Sequence, residues 1–271
     1  MLLAVDVGNT HTVVGLVDLT LSSEEGDGAV VEYWRLATEA SRTADEWGIL
    51  LSGLIGSVLV DGHIEGSVIS STVPHVADAI RSACSRWLGT RSLVVNSELQ
   101  LGIEIAYDPP REVGPDRLVN AVAAQQRYGL PVVVVDFGTA TTVDAVSGKG
   151  QYLGGAIAPG IEVSLQALYG RAALLREVEL KTPERAIGRS TAEAIRAGVL
   201  FGFAALADGL CRRFLAEMSG ARLIATGGLA GVVLPYCEMP FVHDPLLTVH
   251  GLRLIYERNQ ATEIPHEADG V

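Results

Sequence analysis

The chain has 271 residues, of which 48% are hydrophobic and 19% charged: ample apolar material for a sizeable core and no composition for global disorder. A formal charge of −12 and a pI near 4.9 exclude general attraction to nucleic acid or to an anionic membrane surface, so an anionic ligand has to be held locally. Cys84, Cys211 and Cys237 are far apart and in no CxxC pair, which argues against a disulfide framework or a zinc site and for a reducing cytoplasm.

Met1 leads directly into an apolar stretch over 2–5 that ends in Asp6, with no basic region before it, so the spacing predicts a first strand and no signal peptide. No apolar run is expected to reach the ~20 residues that span a bilayer. Strands are predicted near 12–17 and 30–36, separated by a turn-rich segment over 22–28. Thr43-Ala-Asp-Glu46 is a capping box, in which hydroxyl and carboxylate satisfy orphan helix amides, and it opens a helix running to about Val60. A strand near 67–71, a helix over about 74–88 and a short strand at 93–95 follow.

A new pattern begins near Val113, with a helix from about Asp116 to Tyr128 and a strand over 131–135 leading into Asp136 and a second hairpin. Setting Ala4-Val-Asp-Val-Gly-Asn-Thr-His-Thr-Val13 beside Val134-Val-Asp-Phe-Gly-Thr-Ala-Thr-Thr-Val143 shows Asp, Gly, Thr and Val recurring at an offset of 130 residues. The unit is a strand, Asp-x-Gly-[Asn/Thr], and a second strand. The glycine permits the turn that brings backbone amides to an anion. Asn9, Thr10, Thr139 and Thr141 add donors suited to phosphate oxygens. One such hairpin alone is more often an Asx-turn joining two strands; two facing one another would make a phosphate clamp. Asp6 and Asp136 would repel a bare triphosphate but hold a cation that bridges it.

A third glycine element, Ile224-Ala-Thr-Gly-Gly228, again follows an apolar strand, as expected where backbone passes close to an adenosine or its phosphates. Together the three elements resemble the phosphate 1, phosphate 2 and adenosine loops of the acetate and sugar kinase, Hsp70 and actin superfamily. The resemblance implies a two-lobed α/β fold of duplicated ribonuclease H-like domains, with lobes at 1–112 and 113–259 and a polar tail at 260–271.

The segment Tyr107-Asp-Pro-Pro-Arg-Glu-Val-Gly-Pro-Asp-Arg117, with Ile187-Gly-Arg-Ser-Thr-Ala-Glu-Ala194 and Gly154-Gly-Ala-Ile-Ala-Pro-Gly160, is similar to the signature of type III pantothenate kinases. That resemblance implies ATP-dependent phosphorylation of pantothenate to 4'-phosphopantothenate, the first step of coenzyme A biosynthesis. It assigns the pantothenate site to Tyr107, Gly114, Pro115, Asp116, Arg117 and Thr191, with Asp116 as proton acceptor. Family members often carry Ala where this chain has Pro115, and the residue at His11 varies among them. Asp6, Gly8, Asn9, Thr10, Thr139, Gly227 and Gly228 match the nucleotide site. Asp136 matches a ligand of K+ or NH4+, and Asp6 a contact to Mg2+ through the nucleotide. The resemblance also implies a homodimer.

From spacing alone, Gly114 to Arg117 is equally the first turn of a helix, with Pro115 near the first position and Arg117 in solvent. Thr191 suits a helix N-cap as well as a ligand contact. The six histidines have no metal-ligand spacing and are expected at the surface or in caps, and the apolar stretch over 192–210 as a buried or subunit-packed helix. Two other readings stand beside the kinase of pantothenate: a kinase of the same scaffold for another small hydroxylated acid or sugar, and a non-catalytic nucleotide-binding regulatory protein.

Overall fold

The structure is a computed structural model that describes residues 1–21, 29–59, 63–172 and 175–263, so the expected turn at 22–28 and the tail beyond Glu263 lie outside the described residues. It divides into two compact units: one of Met1–Ala123 with the segment from Leu246 onward, the other of Ala124–Pro245.

In the first unit, β1 (Leu2–Val7), β2 (His11–Val17) and β3 (Val30–Ala37) form an antiparallel meander, followed by α1 (Ala44–Gly56), β4 (Gly66–Ser71), α2 (Pro74–Trp87), β5 (Ser92–Val94) and the two-residue β6 (Glu104–Ile105). The sheet order is β3-β2-β1-β4-β5, with β4 parallel to both β1 and β5. Placing β1 between neighbours on both edges explains its unbroken apolar run, since Leu2, Leu3, Ala4 and Val5 are all fully buried. Leu3, Val5 and Ile69 of this sheet pack with Trp47 and Leu51 of α1 and Ile80 of α2. α1 starts where the capping box predicts: Glu46 N donates to Thr43 Oγ1 at 3.3 Å, and Thr43 N donates to Glu46 Oε2 at 2.7 Å.

α3 (Pro115–Tyr128) runs across the division at Ala123, and the second unit repeats the plan with β7 (Val132–Phe137), β8 (Ala140–Val146), β9 (Gln151–Pro159), α4 (Ile161–Arg171), α5 (Thr191–Glu217), β10 (Arg222–Thr226), α6 (Ala230–Val233) and β11 (Phe241–His243). Within this unit the strands run β11-β10-β7-β8-β9, the same order and the same parallel and antiparallel relations as in the first. α5, at 27 residues, is by length and composition apolar enough to cross a membrane, contrary to the expectation of no such run. Its Ile195, Ala204, Ala207 and Cys211 pack against Val133, Val135 and Phe137 of β7, so it serves as a core helix of this unit.

α7 (Leu247–Glu263) returns to the first unit and runs through Gln260, where the sequence suggested a polar tail. It buries His250, 6% exposed, and Arg253, 3% exposed, so His250 is neither a surface nor a capping histidine. Arg253 Nε donates to Glu257 Oε1 at 2.7 Å and its Nη2 donates to Leu21 O, which satisfies the buried guanidinium. Against α3, α7 comes so close that a Cβ on Gly251 would collide with Val119 O. Gly251→Ala is therefore expected to lower unfolding free energy by about 1–3 kcal/mol, seen as an earlier urea midpoint at unchanged slope.

Candidate active site

The two carboxylates sit at the same place in each repeat. Along β1 and β7 the first four side chains are buried and the fifth, Asp6 or Asp136, is half-buried. A carboxylate there is at the edge of the core, where it keeps contact with solvent and avoids the full cost of burial. Beyond the turn, the burial patterns of β2 and β8 also match position by position. The equivalence, however, shifts by one residue from the offset that the sequence suggests. Asp6 pairs with Val13, whereas Asp136 pairs with Thr142. Thr12 therefore answers to Thr141, and not to Thr142.

The shift arises in the turns. Gly8 N donates to His11 O at 3.0 Å, while Gly138 N donates to Ala140 O at 3.0 Å, so the first hairpin carries one more residue at its tip. Asn9 and Thr10 are exposed on that tip, and Thr139 is half-buried on the other. Exposed donors on a glycine-started turn suit phosphate oxygens.

Each turn is braced from the end of the third strand. Thr38 N donates to Thr10 O at 2.9 Å and Gly160 N to Thr139 O at 3.1 Å. Thr38 Oγ1 donates to Gly8 O at 2.8 Å and lies 2.9 Å from Thr12 Oγ1. A hydroxyl has one proton, so Thr12 is the donor in that pair. Gly160 has no side chain to offer, and a Cβ there would collide with Gly138 O and Thr139 O. Thr38 was not singled out from the sequence, and Gly160 was noted only as the end of a family motif, without this bracing role. The available signal was their common place after the third strand of the repeat.

Tyr107 is half-buried in the first unit, before a short 3-10 turn at Pro110–Glu112. Gly114 accepts from Arg117 N at 3.1 Å and Leu118 N at 3.2 Å, which makes it the residue on which α3 starts, with Pro115 first in the helix. Asp116 is half-buried at the positive end of the helix dipole, and its Oδ1 folds back over Gly114, 2.5 Å from where a Cβ would stand. Arg117 is only 8% exposed, so the reading that leaves it in solvent does not hold. One turn on, buried Asn120 accepts from Thr248 Oγ1 of α7 at 2.7 Å, a tie that holds the start of α3 and that the sequence did not reveal.

In the second unit Thr191 is exposed at the first position of α5. The N-cap is Ser190, whose Oγ accepts from Glu193 N at 3.2 Å, and Glu193 Oε2 accepts from Arg189 N at 2.8 Å. The Thr191 hydroxyl is thereby relieved of capping. It borders a cavity of about 520 Å³ walled by Leu165 and Leu168 of α4 and Ile195 and Phe203 of α5. Gly227 and Gly228 follow β10, and Thr226 pairs with Asp136 across the parallel ladder.

Among the described residues no group of three or more His, Cys, Asp or Glu could hold a metal ion. Single carboxylates at strand ends fit a cation that arrives with phosphates, because Mg2+ is commonly held by one or two carboxylates plus substrate oxygens.

The family model for type III pantothenate kinase matches residues 2–213. The chain is 48% identical over 270 residues to the type III pantothenate kinase of Streptomyces avermitilis, with 96% of this chain and 98% of the relative covered. Its structure is similar to that of a ROK family glucokinase from Streptomyces griseus in complex with glucose and AMPPNP, at a TM-score of 0.52 and 14% identity over 96% of this chain and 99% of that one. It is also similar to a putative 2-dehydro-3-deoxygalactonokinase from Sinorhizobium meliloti, at a TM-score of 0.56 and 15% identity over all of both chains. Likeness at such identities shows the fold alone, and that fold is the two-lobed α/β fold of actin-like ATPases and sugar kinases expected from the sequence. The family match and the near full-length identity go further: the chain belongs to the type III pantothenate kinase family.

Proposed function

We propose that the chain transfers the γ-phosphoryl group of ATP to the primary hydroxyl of pantothenate, giving 4'-phosphopantothenate, the first step of coenzyme A biosynthesis. The observation that carries this reading is the 48% identity over nearly the whole chain to a type III pantothenate kinase, together with Asp116 and a buried Arg117 on the first turn of α3. Asp116 accepts a hydrogen bond from the substrate hydroxyl and aligns its oxygen for in-line attack. Alignment matters here at least as much as basicity, because the transition state of phosphoryl transfer is loose. The Arg117 fork suits an anionic oxygen pair, with Tyr107 and Thr191 as further contacts to pantothenate.

Asp6, Gly8, Asn9 and Thr10 in the first unit, and Thr139, Gly227 and Gly228 in the second, are the residues of the ATP site in this reading. Mg2+ enters with the nucleotide and neutralises charge on the phosphates. Asp136 holds a monovalent cation, K+ or NH4+.

The enzyme is placed in the cytoplasm, in keeping with three free thiols. Burial, reinforced by the Asp208 carboxylate, pushes Cys211 and Cys237 up to about 12, so neither is a ready nucleophile at neutral pH. A homodimer is supported by the apolar cavity between α4 and α5 and by exposed Ile157 and Ile187, at 66% and 82%.

With ATP, Mg2+ and pantothenate, ADP release is expected with K+ and not with Na+ as the sole monovalent cation, and release indifferent to pantothenate would reopen the choice of acceptor. Asp116→Asn keeps the fold and ATP binding but loses roughly 10²–10⁴ in turnover; a near-normal rate would remove Asp116 from the mechanism. In sedimentation the protein is expected at twice the 28.6 kDa chain mass, and a monomeric mass would contradict the dimer.

A further inference from the structure

The repeats differ in a second loop, the one that follows the strand parallel to the Asp strand. In the first unit Ser70 pairs with Asp6, and two residues on Thr72 N donates to Val7 O at 3.1 Å. In the second unit Thr226 pairs with Asp136, but Phe137 O accepts from Leu229 N, three residues on, at 3.2 Å. The second loop therefore holds one extra residue, and Gly227-Gly228 stands where the first has Ser71 alone.

The extra residue is folded inward. Gly227 has φ of +92°, and a Cβ on it would collide with Asp136 Oδ1 and stand 2.7 Å from both N and C of Phe137. Gly138 adds a second wall, its would-be Cβ 3.4 Å from the same oxygen. Ser71 does nothing comparable for Asp6: no described non-glycine residue has positive φ, and the Ser71 hydroxyl is spent on Val73, donating to its O at 3.0 Å and accepting from its N at 2.9 Å.

We propose that Gly227 is a positioning residue for Asp136. Its bare Cα lets the loop after β10 close on the carboxylate and fix Oδ1 at the end of β7, and any side chain there pushes that oxygen out of place. The inference rests on the proposed role of Asp136 as ligand of the monovalent cation. It refines the ATP-site assignment of Gly227 made above: Gly227 shapes that site through the Asp136 carboxylate, while Gly228 keeps its place beside the nucleotide.

The test compares the native enzyme with G227A, D136N, the double variant and G231A, where a new Cβ meets only His243 Cε1 at an ordinary 3.6 Å. Rates are recorded against K+ concentration at saturating ATP and pantothenate, with KM for both substrates. G227A is expected to raise the half-saturating K+ concentration at least tenfold, with KM for pantothenate within threefold of native and any rise in KM for ATP removed at saturating K+. G231A should leave all three unchanged, and the double variant should be no worse than D136N. A raised KM for ATP with unchanged K+ dependence in G227A would overturn the proposal, as would additive losses in the double variant. Should D136N itself leave the K+ dependence untouched, the cation role of Asp136 fails. The Gly227 contact is then decided by urea unfolding: a destabilisation by G227A that shrinks in the D136A background supports the seat, and an equal one overturns it. If G227A alone does not fold, a folded G227A/D136A double variant supports the seat and an unfolded one overturns it.

Discussion

A carboxylate that closes a fully buried strand has to leave the core within one residue. In β1 and β7 four buried apolar side chains precede the aspartate, and a charge one step earlier would be desolvated on both faces of the sheet. The chain answers in both units with a glycine two residues after the aspartate and an immediate reversal into an antiparallel strand. On the other side the aspartate pairs with a small hydroxyl residue of the parallel strand, Ser70 or Thr226. The glycine turn ahead and the hydroxyl residue on the parallel strand keep the strand end open while the apolar run behind it anchors the position. The tips, the donors on them and the loops after β4 and β10 all follow from that one requirement.

Much of this was legible because it is local. The Thr43 and Glu46 capping box, the glycine turns and the apolar strands depend on neighbours within a few residues, and the structure has them where the spacing put them. The fold class followed from the resemblance that the two hairpins and the third glycine loop together carry to the acetate and sugar kinase, Hsp70 and actin superfamily. The exact equivalence of the repeats was not legible. Aligned letters place Thr12 with Thr142, but ladder pairing places it with Thr141, because a one-residue difference in a turn changes register without disturbing the motif on either side.

α7 shows the opposite case. Its sequence carries His250, Arg253 and Glu257 where a core stripe would be apolar, and Gly251 in the middle of the helix, so periodicity has little to work on. Two of these answer to distant partners: Arg253 donates to Leu21 O as well as to Glu257 one turn on, and Gly251 admits Val119 O. A residue that is polar because its partner is distant looks exposed in the sequence. The same holds for Asn120, whose partner Thr248 lies on α7; the cap at α5 is by contrast local, with Ser190 taking the place that Thr191 seemed to offer.

The two copies of the scaffold have diverged by single residues in opposite loops. The first unit lengthens the hairpin tip, and the second lengthens the loop after the parallel strand. They are also braced by different means. The first tip hangs on the Thr12 to Thr38 to Gly8 relay of hydroxyls, whereas the second is packed main chain on main chain through Gly160, with no hydrogen-bond partner for buried Thr141 Oγ1 among the described residues. A relay of hydroxyls leaves the longer tip with exposed donors that can adjust to a polyanion. Main-chain packing confines the second tip, and with it the end of β7 that carries Asp136. One strand-turn-strand plan is thus held in two ways, and the difference lies in which loop carries one more residue and where glycine takes the place of a side chain.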